Sequence, residues 1–327
     1  MNPPKRILKI ISFSIDAFIA KIYLQLKKER PALVIPYFHA ILPNGQSSLP
    51  IEIHPNSHAN ITISNLRAII EYFLMNDYQF IKPRDLFVEK PSLIKNMCML
   101  TFDDGYFNNH SVVPLLNEYR VPAVFFLSLN HVNENKAFWW DVLYREEAKR
   151  TKSIGEINKE IEYFKSKTAT EIDLFIRDKF GKKAFEPWSD LDRPFSLKEV
   201  KEISMDKYVV IGNHTLNHDI LTNYSFEEAK NIVQTSQESV EKLIGVVPEI
   251  ISYPTGTTSP QLLQIARSCG LRIGVTTNPK KNYFPIGDNW GGKLALHRFP
   301  IKGHPHSLMD QLNIIRSDIT LRNFLRT

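Results

Sequence analysis

Along this chain, short apolar runs alternate with stretches in which apolar residues recur every three or four positions. The runs Ala32–His39, Met97–Asp104, Ala123–Ser128, Tyr208–His214, Glu249–Pro254, Leu271–Thr277 and Leu294–Ile301 read as strands. Ser64–Asn76, Val112–Tyr119, Ser225–Leu243 and Ser259–Cys269 carry the helical period. Short strands alternating with helices imply parallel strands joined by crossover helices. Seven of them predict a barrel-like α/β arrangement rather than an open sheet.

Three stretches depart from this rhythm. From about Asp141 to Ser196 the chain is charged and helix-prone without a strand signal, which predicts a helical insertion capping the barrel mouth. Ser307–Phe324 reads as a closing helix. Residues 7–26, ILKIISFSIDAFIAKIYLQL, are apolar but interrupted by Lys9, Asp16 and Lys21, and Lys27, Lys28 and Arg30 follow. Lys9, Ser12 and Asp16 share one helical face, while isoleucine, leucine and phenylalanine cover much of the rest. The charges count against a secretory signal and against a spanning helix of about 20 apolar residues. A helix packed on the domain, an amphipathic helix lying in a membrane surface and an uncleaved anchor remain as readings. The chain then divides into an N-terminal helix, residues 1–30, and a barrel domain, residues 31–327.

Composition narrows the partners. The 327 residues are 43% hydrophobic and 23% charged, with a formal net charge of +6. That is ordinary for a globular chain and mildly basic. The basic residues are scattered and form no nucleic-acid motif, so no nucleic-acid partner is expected. Cys98 and Cys269 sit in apolar surroundings and are expected as buried free thiols.

The chemistry gathers where apolar runs end. TFDDG places Asp103 and Asp104 side by side before Gly105; IGNHTLNH follows a strand with His214 and His218; SYPTG spans Ser252 to Gly256; PYFHA ends in His39. In parallel barrels the strand C-termini converge on one face, where functional side chains collect. Three residues between two histidines put both on one side of a helical turn, a spacing that suits one cation. With one of the two aspartates, the set becomes two His and one Asp with open coordination positions, as in catalytic zinc sites. The other aspartate stays free as a base. The cation answers the crowding of two like charges.

TFDDGY, IGNHTLNH and SYPTG, in this order, resemble the first three motifs of the polysaccharide deacetylases, carbohydrate esterase family four. VIPYFHAI, VPAVFFLS, AFWWD and ALHRFPI extend the resemblance from about Ala32 to Ile301. It implies a distorted (β/α) barrel and metal-dependent removal of acyl groups from N-acetylated sugars. Carried over residue by residue, Asp103 is the catalytic base, and Asp104, His214 and His218 are the metal ligands. The metal is then Zn²⁺, with Co²⁺ or Ni²⁺ also suited to this donor set. A backbone N–H at Tyr253 or a neighbour is the expected oxyanion donor. The general acid is assigned to His297, with His304, His306 and His39 as further candidates. Ser252 stands where many members carry an arginine directed at the catalytic aspartate, which leaves Asp103 without that partner.

Trp139, Trp140, Trp290, Tyr253 and His39 are the expected sugar contacts, since aromatic faces stack on sugar rings. Asp288 and Asn289 could add hydrogen bonds. The leading function is N-deacetylation of an amino-sugar glycan or a lipid-linked glycan precursor. The weakly basic chain and its N-terminal helix suggest a cytoplasmic protein in peripheral contact with the inner membrane face. Two alternatives follow: a deformylase or deacylase of a lipid-linked amino sugar, and an inactive glycan-binding barrel, the latter motivated by Ser252.

Overall fold

The computed structural model describes residues 3–44, 61–87, 95–287, 292–303 and 307–319. After α1 (Pro3–Leu26) come the strands β1 (Ala32–Val34), β2 (Pro36–Phe38), β3 (Ile41–Leu42) and β4 (Ile61–Thr62). Then follow α2 (Ile63–Met75), β5 (Gln79–Phe80), β6 (Met97–Cys98), β7 (Leu100–Phe102), α3 (Val112–Tyr119) and β8 (Ala123–Leu127). Five helices come next: α4 (Leu129–Glu134), α5 (Trp139–Lys149), α6 (Ile154–Phe164), α7 (Ala169–Phe180) and α8 (Leu197–Ser204). The last part runs β9 (Val209–Asn213), α9 (Phe226–Ile244), β10 (Ile250–Ser252), α10 (Pro260–Ser268), β11 (Ile273–Val275), β12 (Asn282–Tyr283), β13 (Phe299–Pro300) and α11 (Leu308–Ser317).

The main sheet has seven strands in the order β11-β10-β9-β8-β7-β2-β13, and every pair is parallel. Its two edges meet through one segment. Leu296 bridges to Val275 at the β11 edge, and Phe299 and Pro300 pair with Pro36 and Tyr37 of β2. The fold is therefore the distorted (β/α) barrel anticipated from the sequence. Its strands are buried on both faces, which is why they read as unbroken apolar runs.

Two expected strands each serve two sheets. Ala32–His39 breaks into β1 and β2, and Met97–Asp104 into β6 and β7, because the chain passes from one sheet to the next at Ile35 and Met99. β1 and β6 pair in a second sheet of order β12-β1-β6-β5. Both crossing residues are fully buried, so nothing in the polarity marks the break. The predicted helices shift by at most a residue or so. Ser225 and Glu228 close a capping box at the start of α9, and Ser259 caps α10.

The charged block forms α5, α6 and α7, two of them opened by capping boxes, Ser153 with Glu156 and Thr168 with Glu171. These helices enclose their own apolar cluster, including Trp139, Val142, Leu143, Phe164, Ile172, Ile176 and Phe185. The closing helix is described as Leu308–Ser317, and α1 packs against it. Cys98 is a buried free thiol, whereas Cys269 is free but partly exposed, at the end of α10. Among the described residues no helix is long and apolar enough to cross a membrane.

Candidate functional site

The two aspartates reach one cavity because the backbone turns between them. Asp103 still belongs to the ladder, its N–H donating to the Phe38 carbonyl at 2.8 Å. Asp104 then takes φ +72° and Gly105 φ +91°. A left-handed aspartate is tolerated better than most residues there, but it still marks a position where backbone strain serves a site. On a regular strand the two side chains would face opposite sides. Here both are buried and line a cavity of about 440 Å³ at the strand ends.

His214 and His218 arrive by a loop rather than the expected helical turn. His214 N–H extends the ladder to the Leu127 carbonyl at 3.2 Å, and then Thr215 (φ +63°) and His218 (φ +56°) adopt left-handed conformations. Polar side chains set that shape. Asn213 Oδ1 accepts the Thr215 N–H at 2.7 Å, Asp219 Oδ2 accepts the Asn217 N–H at 3.0 Å, and Thr215 Oγ1 accepts the Asp219 N–H at 2.6 Å. The two imidazole centroids end 4.9 Å apart.

Asp104, His214 and His218 present ligand atoms within 4.8 Å of one another. His214 Nδ1 lies 2.7 Å from the Ser252 carbonyl oxygen, which can only accept, so Nδ1 carries the proton and the Nε2 lone pair points inward. That Nε2 faces Asp104 Oδ1 at 3.2 Å, and His218 Nε2 faces the same oxygen at 3.6 Å. With its ring neutral, His214 Nε2 and the Asp104 oxygen are both acceptors, and His218 Nε2 lies at the same point. The electrostatics agree. Burial alone would push the Asp104 carboxyl up, but His214, His39 and His218 hold it well below the usual range. Burial pushes His218 down to about 3. Burial would also lower His214, yet the bond to Asp104 and the charge of Asp103 raise it. A cluster that draws a proton onto a buried imidazole is short of positive charge. The donor set therefore fits a divalent cation with positions left open.

Asp103 does have a cationic partner, contrary to the expectation from Ser252. Fully buried Arg298 donates from Nη1 to Asp103 Oδ1 at 2.7 Å and from Nη2 to Asp103 Oδ2 at 2.8 Å. Its Nη2 also reaches Ser252 Oγ at 2.9 Å, and Nε donates to the Thr276 carbonyl at 2.8 Å. The guanidinium lies 4.5 Å from the Tyr37 ring centroid. Burial would raise the Asp103 carboxyl; the charges of Arg298 and then His214 hold it below its ordinary value. Serine at position 252 leaves room for this arginine and bonds to it. The signal was present in ALHRFPI, where neighbouring residues face opposite ways: choosing His297 for the site excluded Arg298, and the reverse holds.

His297 lines a separate cavity with Lys280, Asn282 and Tyr283, outside the pocket of the aspartates, so the structure does not bring this expected general acid to them. His39 lines the aspartate pocket. Asn109 Nδ2 holds the His39 carbonyl at 2.7 Å. Tyr253 also lines the pocket, but its N–H donates to the Val275 carbonyl at 3.2 Å. Thr255, two residues on at φ +61°, lines the pocket as well.

Trp139 and Trp140 both border the cavity. Trp139 is mostly core of the insertion, with its ring centroid 6.0 Å from that of Phe164. Trp140 Nε1 donates to Tyr106 Oη at 2.9 Å, and that hydroxyl donates to Asp141 Oδ2 at 2.6 Å. This chain sets the Trp140 ring 4.7 Å from His218. Tyr144, Asn158, Ile161, Glu162 and Lys165 of the insertion complete that wall, residues the sequence did not single out. Trp290, Asp288, Asn289, His304 and His306 lie outside the described residues.

A parallel barrel whose strand ends gather an Asp-His-His cluster beside an arginine-held aspartate defines a hydrolase-type barrel. The comparisons make it particular: the polysaccharide deacetylase family profile matches residues 90–274, and the chain belongs to that family. YxkH of Bacillus subtilis (strain 168), which carries the polysaccharide deacetylase name, is 22% identical over 280 residues, covering 84% of this chain and 73% of its own. The Streptococcus pyogenes deacetylase PplD, solved in complex with acetate, superposes with a TM-score of 0.60 at 19% identity, covering 88% of this chain and 99% of that one. A Bacillus cereus polysaccharide deacetylase, BC0361, gives 0.56 at 16% identity, with 88% and 69% covered.

Proposed function

We propose that this chain removes N-acetyl groups from an amino-sugar glycan or glycan precursor in a metal-dependent reaction. The observation that carries the reading is the pairing of two differently held aspartates, Asp104 among His214 and His218, and Asp103 on Arg298. Asp104, His214 Nε2 and His218 Nε2 would hold the divalent cation, zinc first. The chemistry such a cation supplies when bound is Lewis-acid polarisation of the amide carbonyl and acidification of the attacking water.

The chain's own residues do the rest. Arg298 occupies one lone pair on each Asp103 oxygen and leaves another on each for a proton. Asp103 takes the proton of the water as it attacks the acetamide carbonyl. The turn Pro254–Gly256, in which Thr255 borders the cavity, faces the developing oxyanion. His39 delivers a proton to the departing amine. Trp139 and Trp140 form an aromatic wall for the sugar ring. With Arg298 in place, Ser252 no longer argues for an inactive barrel.

The test is acetate release from N-acetylglucosamine oligomers by zinc-loaded protein. Asp103→Asn should retain metal and lose turnover, whereas His214→Ala with His218→Ala should lose both. Full activity surviving the double histidine change would overturn the metal site.

A further inference from the structure

The sequence singled out the N-terminal helix, and the deacetylase chemistry leaves it without a task. In the structure α1 is two-sided. Ala17 and Ala20 are buried, and Lys21 Nζ is tied to Asp310 Oδ1 of α11 at 2.8 Å, so one side is seated on the domain. The other side carries Ile11, Ile15, Phe18, Ile22 and Leu26, spaced by four, three, four and four residues, which is one helical stripe. Their exposures run from 40% at Ile15 and Ile22 to 65% at Phe18 and 74% at Leu26, and Ile10 beside them is 45% exposed. Scattered exposed apolar residues need no explanation, but a contiguous stripe along a helix about 36 Å long does.

Charge decides the occupant. At the C-terminal end of the stripe Lys27, Lys28 and Arg30 are exposed. Glu29, the acidic residue among them, is turned inward to Arg316 (Nε 2.9 Å), Lys281 (Nζ 3.2 Å) and Tyr78 (Oη 2.7 Å). The exposed end of the helix is thus purely basic. An apolar stripe bordered by basic side chains matches an interface between acyl chains and anionic headgroups. We infer that α1 docks the barrel onto an anionic lipid surface, lying in the plane of that surface with Phe18 and Leu26 inserted.

The test is flotation of the full-length protein with phosphatidylcholine vesicles, with and without one-third phosphatidylglycerol, and needs no turnover. The protein should float with the anionic vesicles and do so less as salt rises. Phe18→Ser with Ile22→Ser, both on the exposed side, should lower the partition coefficient at least about tenfold. Lys27→Gln with Lys28→Gln should lower it by about 25-fold, roughly fivefold per lysine. Circular dichroism and acetate release from soluble oligomers should match wild type in both variants. Wild-type protein that stays with the soluble fraction, or a serine variant that floats as well as wild type, would overturn the inference. So would a concentration-dependent dimer in sedimentation that Phe18→Ser with Ile22→Ser abolishes, because the stripe would then belong to a second copy.

Discussion

Replacing Arg298 with alanine tests the least expected contact in the site. The side chain is fully buried and gives two charge-assisted hydrogen bonds to Asp103, at 2.7 and 2.8 Å. At about 1.5–3 kcal/mol each, their loss should raise the Asp103 carboxyl by about 2–4 pH units, given 1.36 kcal/mol per unit. The sign is fixed: removing a cation favours the protonated carboxyl, so the base is lost over a wider acidic range. The acid limb of the kcat/KM profile should move up by that amount, with activity falling about tenfold per pH unit below the raised limb and recovering toward alkaline pH. Stability should fall by about 3–5 kcal/mol, the cost of leaving a buried charge unpaired. Metal content should not change, since Arg298 bonds to none of Asp104, His214 and His218.

Ser252→Arg in the same background supplies the sharper arm. Ser252 Oγ already lies 2.9 Å from Arg298 Nη2, so a guanidinium rooted on β10 starts beside the vacated space. Alone, Ser252→Arg forces two guanidinium groups into one buried site and should inactivate. Combined with Arg298→Ala it should restore at least about tenfold of the lost activity, a coupling of about 1.4 kcal/mol or more. An unshifted acid limb in Arg298→Ala, or a double variant no better than the single, would refute the reasoning.

His39→Gln should lower kcat about 10²- to 10⁴-fold without altering metal content, while His297→Gln should leave kcat at the wild-type level; steady-state assays separate the two. Gly256→Ala meets both a left-handed φ of +76° and the Thr277 backbone nitrogen 2.4 Å from the new Cβ, so urea unfolding should show a loss of at least about 2 kcal/mol. For Glu29, burial would raise the carboxyl, but Arg316, Tyr78 and Lys281 hold it below its ordinary value. Its stabilisation is therefore present above the unfolded pKa and lost as pH falls through the lowered folded one. Glu29→Gln should cost about 3 kcal/mol at neutral pH, and denaturation at falling pH should show that gap closing on the acidic side.

What the sequence could reveal follows from what each feature depends on. Strands buried on both faces leave continuous apolar runs, so the barrel was legible, whereas the handover between sheets at Ile35 and Met99 occurs between apolar residues and leaves no mark. The carboxylate pair was legible as chemistry. How both reach one pocket depends on φ at Asp104, which the residue type permits without announcing. His214 and His218 converge as their spacing suggested, but through a left-handed loop held by Asn213, Thr215 and Asp219 rather than a helix. Arg298 was hidden for a different reason. A buried carboxylate needs hydrogen-bond donors or a cation within reach, and electrostatics does not specify which segment supplies them. The segment closing the barrel runs from Leu296 at the β11 edge to Phe299 on β2, so its inward residue spans the barrel's interior toward Asp103 and Ser252. Serine at 252 is then the complement of arginine at 298: one strand gives up the volume that the other fills, and the charge on Asp103 is met while its position in the chain changes.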